Sequence, residues 1–334
     1  MRRVPVSACL LSGLLVLGLA ICASAARADD KPIVAITPEE AGPDFAIQGE
    51  YAGEVKHGDV SAKVGVQVIA QGKGKFHAVG YIGGLPGDGW DGKEKKESDG
   101  ELKDGVVKFQ GDKGLGEIKD GVLTVKTSDG TVLGALKRTV RKSPTLGAKA
   151  PEKAVVLFDG SSADKWKDGR MAKDGLLMEG TTSLPMFQSF TLHLEFMLSF
   201  MPEARGQGRA NSGVYMQGRY ETQVLDSFGL AGKDNECGGI YTVKDSDVNM
   251  CFPPLSWQTY DVDFTAAKFD EAGKKTANAR MTVKLNGVVV HNDVEVPKST
   301  TAAPVPEGAA AGPIYLQNHG NPIRFRNIWL VEKK

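Results

Sequence analysis

From Phe45 onward the chain is written in short segments of strict apolar and polar alternation, and almost nowhere in the 3.6-residue period of a helix. Between there and Val140 come QGEYAGEV, AKVGVQVIA, FHAVGYIGG, VVKFQG, GEIKDGVLTVKT and TVLGALKRTV. Asp-Gly, Gly-Lys-Gly and Pro-Gly turns separate them. Alternation of this kind buries one face only when strands pair with their neighbours, so about six short antiparallel strands predict a small barrel or sandwich over residues 45–140. The Asp-Gly pairs at 99, 104, 120 and 129 are hairpin signals.

KSPTLGAKAPEK is polar and punctuated by proline, which places a linker at residues 141–152. A second unit then runs from 153 to 334, with strand patterns such as SFTLHLEFML, SGVYMQG, YETQVLD, CGGIYTV, QTYDVDFTA, ARMTVKLNG, VVVHNDVEV, IYLQN and RFRNIWLVE. So many strands with so little helix predict a two-sheet jelly roll, and an all-β chain throughout.

The first residues carry two arginines, an apolar run too short for a confident membrane span, and Ala26-Arg27-Ala28 as a cleavage motif. We read residues 1–28 as a Sec signal peptide, which implies a periplasmic or secreted protein. Anchoring as a lipoprotein at Cys22 is the rival, but Ile21 stands where such signals need a small residue. The chain has 41 basic and 41 acidic side chains, and loss of the leader removes three arginines and no acids. That balance offers nothing to nucleic acid or an anionic membrane surface. No later segment has the length and apolarity to span a bilayer. Only Cys237 and Cys251 outlast cleavage, and in an exported chain such a pair predicts a disulfide that stabilises by roughly 3 kcal/mol. No Cys/His spacing suggests zinc.

The glycine-rich loop GGLPGDGWDG lacks the order of a phosphate loop; Trp90 within it reads as a plug for one end of the small β unit, with stacking on a sugar as the alternative. In the second unit the strand faces are unusually polar. Glu221, Gln223, Gln317, His319 and Arg326 make a dry core only if all are paired, and a concave, wet face that binds something polar is the alternative.

Over about Val155 to Glu332 the chain resembles the 3-keto-disaccharide hydrolase domain family, long catalogued as a domain of unknown function. LFDGSSADKW, RANSGVYMQGRYETQVLDSFG, ECGGIY, PPLSWQTYDVDFTAAKFDEAGKK, LNGVVVHNDVEV and GPIYLQNHGNPIRFRNIWL carry the resemblance. It implies a concanavalin-like jelly roll that cleaves glycosides oxidised at sugar carbon 3. A ketone there acidifies the carbon 2 proton, and the glycosidic oxygen on carbon 1 is then expelled by elimination and replaced by water. Such chemistry needs a base, a donor or cation at the developing enolate oxygen, and an acid for the leaving group. No cofactor is demanded, although a divalent ion held by Glu221 or Asp226 is an alternative electrophile.

Residues fit for these tasks can be named. Glu221 or His319 removes the proton, Arg326 stabilises the enolate with Gln317 or Gln223, and Arg209, Asn211, Tyr215, Gln217 and Asp226 contact the saccharide. Glu221 is set against a plainer reading as an ion-paired sheet carboxylate, partnered by Arg219 or Arg326. The spacing of Glu221, Gln223 and Asp226 echoes laminarinase-like glycosidases, but the outer carboxylates have opposite strand parity and need a bulge to work as a pair. His291 and His193 read as strand residues, and His57 and His77 belong to the other unit. Two competitors remain: a glycan-binding jelly roll without chemistry, and a conventional laminarinase-like glycosidase acting on unoxidised glucan.

Overall fold

A computed structural model describes residues 31–111 and 114–334, so the expected leader, with Cys22, lies outside the described residues. Pro32–Lys334 forms one compact unit. It holds a closed barrel followed by two facing sheets, the all-β architecture expected.

The barrel strands are Gly49–His57, Val60–Gly72, Lys75–Ile82, Lys95–Lys103, Val106–Gly111, Gly114–Lys119, Val122–Lys126 and Val132–Thr139. Each pairs antiparallel with the next, and the first closes onto the last through pairs such as Tyr51 with Arg138. Three hairpins turn where expected: Asp104-Gly105 and Asp120-Gly121 both have positive φ, the geometry that favours Asp-Gly in a two-residue hairpin, and Asp129-Gly130 lies in the longer turn between Val122–Lys126 and Val132–Thr139. Asp99-Gly100 does not turn. It lies inside Lys95–Lys103, a strand that the hydrophobic pattern misses because its residues are almost all polar. Gly100 is there because a Cβ would stand 2.5 Å from the Phe109 ring.

The sandwich has a five-stranded sheet in the order Trp166–Lys167, Thr181–Ser183, Tyr315–Leu316, Asn211–Met216 and Tyr220–Leu225. The facing sheet has seven strands: Leu177–Met178, Ile323–Glu332, Phe190–Leu198, Trp257–Thr265, Ala279–Leu285 and Val288–Val296 in order, with Val155–Phe158 also beside Ile323–Glu332. Val214, Met216, Tyr220, Val224 and Leu316 from the first sheet meet Leu194, Phe196, Tyr260, Val262 and Phe325 from the second in one core. Strand alternation therefore sends Tyr215, Glu221 and Gln223 to the outer face of the smaller sheet. CGGIYTV is not a strand; Ile240 makes only isolated bridges to Thr222 and Lys244.

The two cores interlock. Ile69, Val79 and Tyr81, from outward barrel positions, belong to the sandwich core, and Trp90 packs there too, its ring 5.0 Å from Tyr81. Trp90 therefore plugs the joint rather than the barrel. In the other direction Phe200, just past the strand Phe190–Leu198, is fully buried in the barrel core and exchanges backbone hydrogen bonds with Ala35. Arg141 ties the joint with polar contacts: it donates to both Glu50 carboxylate oxygens and to the Pro86 carbonyl, while lying over the Phe252 ring. The stretch read as a linker continues along the outer face of the larger sheet, where Thr145 donates to Asp261 and the Gly147 amide donates to Glu195.

The expected disulfide is absent. Cys237 and Cys251 are buried free thiols. The Cys237 sulfur contacts the Tyr260 hydroxyl, and Cys251 points its S–H toward the Leu225 and Phe252 carbonyls, so both sulfurs are engaged within the core. Burial pushes the Cys251 thiol well above the usual thiol range.

Because Phe200 fills the barrel from a sandwich strand, Phe200→Ala is expected to destabilise the protein by about 3–5 kcal/mol in urea melts followed by tryptophan fluorescence. A loss below 1 kcal/mol, on the order of a surface substitution, would contradict the interlocked cores.

Candidate functional site

The hairpin Asn211–Met216 and Tyr220–Leu225 is the foundation of the site. Its strands pair in unbroken register from Asn211 with Leu225 to Met216 with Tyr220, joined by Gln217-Gly218, both with positive φ. No bulge interrupts them. Glu221 and Asp226 therefore do not come to one face, and the paired-carboxylate arrangement of a retaining glycosidase is not formed. Asp226 instead accepts from Arg209 Nε at 3.0 Å and from the same guanidinium through Nη2, in an ion pair buried at both ends. Both were expected at the saccharide; both are spent on holding the loop before the hairpin.

Gln217 is likewise structural. Its amide donates to the Phe187 carbonyl at 3.0 Å, and its Oε1 accepts from Arg219, whose guanidinium also donates to the Pro306 and Ala310 carbonyls. Arg219 thus pins the loop of residues 300–312 over the sheet rather than pairing with Glu221. That loop covers the outer face: Thr300 Oγ1 accepts from the Glu221 amide, and the Thr301 carbonyl lies 3.1 Å from Tyr215 Oη. The expected open, wet face is consequently roofed, and Asn211, Tyr215, Glu221 and Gln223 are all buried.

Under this roof the polar groups converge. Tyr215 Oη is 2.8 Å from Glu221 Oε2 and accepts from Gln317 Nε2 at 3.1 Å. Tyr315 lies beside Tyr215, with ring centroids 5.3 Å apart. Glu221 Oε1 lies over Gly213, where a Cβ would come within 2.1 Å of it, and has no hydrogen-bond partner among the described residues. It is not one of the sealed, unpartnered atoms either, in contrast to the neighbouring Asn211 Oδ1. Asn211 and Gln223 both donate to Gln207 Oε1, and Gln223 reaches the Asn235 carbonyl. These contacts occupy Gln223 as a support. Burial falls away along one edge: Tyr315 and Gln317 are half-buried and His319 is exposed, without a hydrogen bond or ion pair among the described residues.

Glu221 is the unusual group here. Burial pushes its carboxyl up to about 8 and outweighs the Tyr215 hydrogen bond, which pulls it down. Tyr215 is pushed well above its ordinary range by burial and by Glu221. A phenol that keeps its one hydrogen can serve either Glu221 or the Thr301 carbonyl, and a protonated Glu221 relieves that competition.

Arg326 is elsewhere. It lies on the outer face of the larger sheet, donates to Glu195 at 2.7 Å and stacks 3.8 Å over the Trp257 ring. The bulge at Asn327, where φ is positive, helps set its direction. His193, buried rather than half-buried, joins that cluster with Nδ1 2.6 Å from Asp261. Glu195 is held down at about 2: burial opposes its charge, but His193, Asn327 and Arg326 outweigh burial. His291 is a core histidine, donating to the Gly238 carbonyl and pushed down to about 4 by burial. Among the described residues no three His, Cys, Asp or Glu side chains converge as metal ligands.

Sequence reasoning missed Gln207, Asn235, Thr300 and Thr301, which come from loops with no pattern to mark them. Gly213 carried a signal: glycine inside a strand marks close approach, here of a carboxylate.

Residues 153–331 match the model of the family described as 3-keto-alpha-glucoside-1,2-lyase-like domain. The chain belongs to that family. No curated protein matches it. Two solved structures of proteins from Parabacteroides distasonis ATCC 8503, each described as a candidate glycosyl hydrolase, are similar to this lyase-like chain. One is 33% identical, covering 55% of this chain and 85% of its own, with a TM-score of 0.49. The other is 16% identical, covering 55% and 95%, with a TM-score of 0.40.

A carboxyl raised from about 4.3 in the unfolded chain to about 8 in the folded lyase-like domain makes the folded state bind the extra proton. Its contribution to stability is complete below the unfolded value and is lost as pH rises through the folded one. Glu221→Gln should flatten that part of the stability-pH profile, measured by urea melts between pH 4 and 9. Tyr215→Phe, which removes the bond that lowers the carboxyl, should extend it to higher pH. Identical profiles for Glu221→Gln and the parent chain would refute the shifted carboxyl.

Proposed function

We propose that this protein is an exported carbohydrate-active enzyme that cleaves 3-keto-glycosides, with the outer face of the smaller sheet as its active site. Family membership supports the substrate class, and the residues 1–28 support export. The observation that carries the catalytic reading is Glu221: a carboxyl neutral at pH 7, with one oxygen on Tyr215 and the other unpartnered beside a half-buried edge. A neutral acid in that position is a proton donor.

In this reading the carbon 2 proton passes to His319, whose exposed ring at the edge is the accessible base. The electrons left on carbon 2 delocalise onto the ketone oxygen, where the second N–H of Gln317 Nε2 donates. The carbon 1–oxygen bond then breaks as Glu221 gives its proton to the leaving oxygen. Water adds to carbon 1 of the resulting enone, and a proton returns to carbon 2, so that atoms balance as a hydrolysis. Tyr215 positions Glu221, and neutral donors do the work first expected of a guanidinium.

The test compares a 3-keto-disaccharide with its unoxidised parent. The full chain should release product from the first and not the second, and activity should decline as pH rises through about 8, where Glu221 loses its proton. Glu221→Gln should lower kcat by roughly 10²–10⁴-fold with little change in KM. Equal turnover of the unoxidised sugar would point to a conventional glycosidase. Saturable binding of the keto sugar without product would make the domain a binding module.

A further inference from the structure

The barrel is closed but not filled. At one end Tyr51, Val68, Ala70 and Phe76 pack with Phe200 to zero or near-zero exposure. Toward the other end the inward side chains stop short and leave a cavity of about 490 Å³, walled by Val66, Ala78, Phe109, Leu123 and Val125. An eight-stranded barrel is just wide enough either to be filled by its own side chains or to hold one small ligand. A hollow of this size, open to solvent at its mouth, is more than a gap between packed side chains.

Gly80 is the residue that distinguishes the two cases. It pairs with Val66 on one side and Lys96 on the other, in regular strand, and lines the cavity. Its φ is not in the left-handed region, and a Cβ there would meet nothing closer than the Lys96 carbonyl at 3.5 Å, an ordinary contact. Gly100 and Gly134, by contrast, are enforced by the Phe109 ring and the Glu54 carbonyl. Glycine in a strand costs stability relative to a residue with a side chain, and here neither backbone nor packing requires it. What Gly80 provides is room.

The mouth is polar. Lys96, Glu97, Ser98 and Lys126 border the cavity, with Lys96 paired to Glu94, Lys126 paired to Glu117 and Glu97 within 3.6 Å of His77. Ion pairs this close to solvent contribute little, so a ligand anion can replace the partner of either lysine at small cost. We infer that the barrel is a binding site for an amphiphile, with an alkyl chain in the cavity and an anionic head, such as a carboxylate, at Lys96 and Lys126. This function is separate from the saccharide chemistry of the sandwich.

The experiment is a fluorescence titration of the full chain with cis-parinaric acid, followed by displacement with saturated carboxylates of increasing length. Saturable binding at one site is expected. Affinity should rise about 4-fold per added methylene, the equivalent of ~0.8 kcal/mol, until the cavity is full. Dodecanoate should displace the probe at least tenfold more effectively than dodecyltrimethylammonium. Gly80→Ile, which occupies the space from within, should weaken probe binding at least tenfold while raising the thermal midpoint, and Gly80→Ala should act in the same direction to a smaller extent. Absence of saturable binding to the unmodified chain overturns the proposal, as does unchanged binding by a Gly80→Ile protein with native circular dichroism. Equal displacement by the cationic and anionic amphiphiles overturns the lysine-bound head group.

Discussion

A sheet face that carries amides, a carboxyl and a phenol cannot be buried unless each group finds a partner, and the smaller sheet of this sandwich is organised by that constraint. Its inner face is conventional core. Its outer face is closed by loops whose carbonyls and amides answer the strand side chains one at a time: Gln207 and Asn235 for Gln223, Thr300 and Thr301 for the Glu221 amide and Tyr215. The loops stay in place because Arg209 with Asp226 and Arg219 with the Pro306 and Ala310 carbonyls anchor them. Charges expected to meet a substrate are thus consumed in building the enclosure around Glu221.

That enclosure explains why Glu221 behaves unlike the other acids of the sandwich. Glu195 shows as little surface but is less deeply enclosed, and it is ionised because His193, Asn327 and Arg326 surround it with donors and positive charge. Glu221 has a single donor, Tyr215, and no cation among its contacts. Desolvation then wins and the carboxyl holds its proton. Two glutamates on outer sheet faces of one sandwich are driven in opposite directions by the company each keeps.

The barrel shows the same economy with apolar groups. Its outward residues Ile69, Val79 and Tyr81 complete the sandwich core, while Phe200 from the sandwich completes one end of the barrel. Each unit lends surface to its neighbour, which leaves the far end of the barrel to be shaped by small residues such as Gly80.

Much of this was legible in the chain itself. Period-two alternation and Asp-Gly turns determined an all-β protein, because only paired strands can bury every second side chain, and ordered motifs from LFDGSSADKW to RFRNIWL pointed to the family. Strand parity put Tyr215, Glu221 and Gln223 on one face for the same geometric reason. The tertiary structure alone decided which polar residues were already taken. Arg326 and Glu221 are interchangeable with any opposite charges in a sequence; only the packing of two different sheets shows that they never meet. A polar strand such as Lys95–Lys103 also escaped, since its pairing is dictated by neighbours on either side rather than by its own pattern. Burial belongs to the folded chain, and with it the proton on Glu221, because desolvation depends on every atom that replaces water around the group.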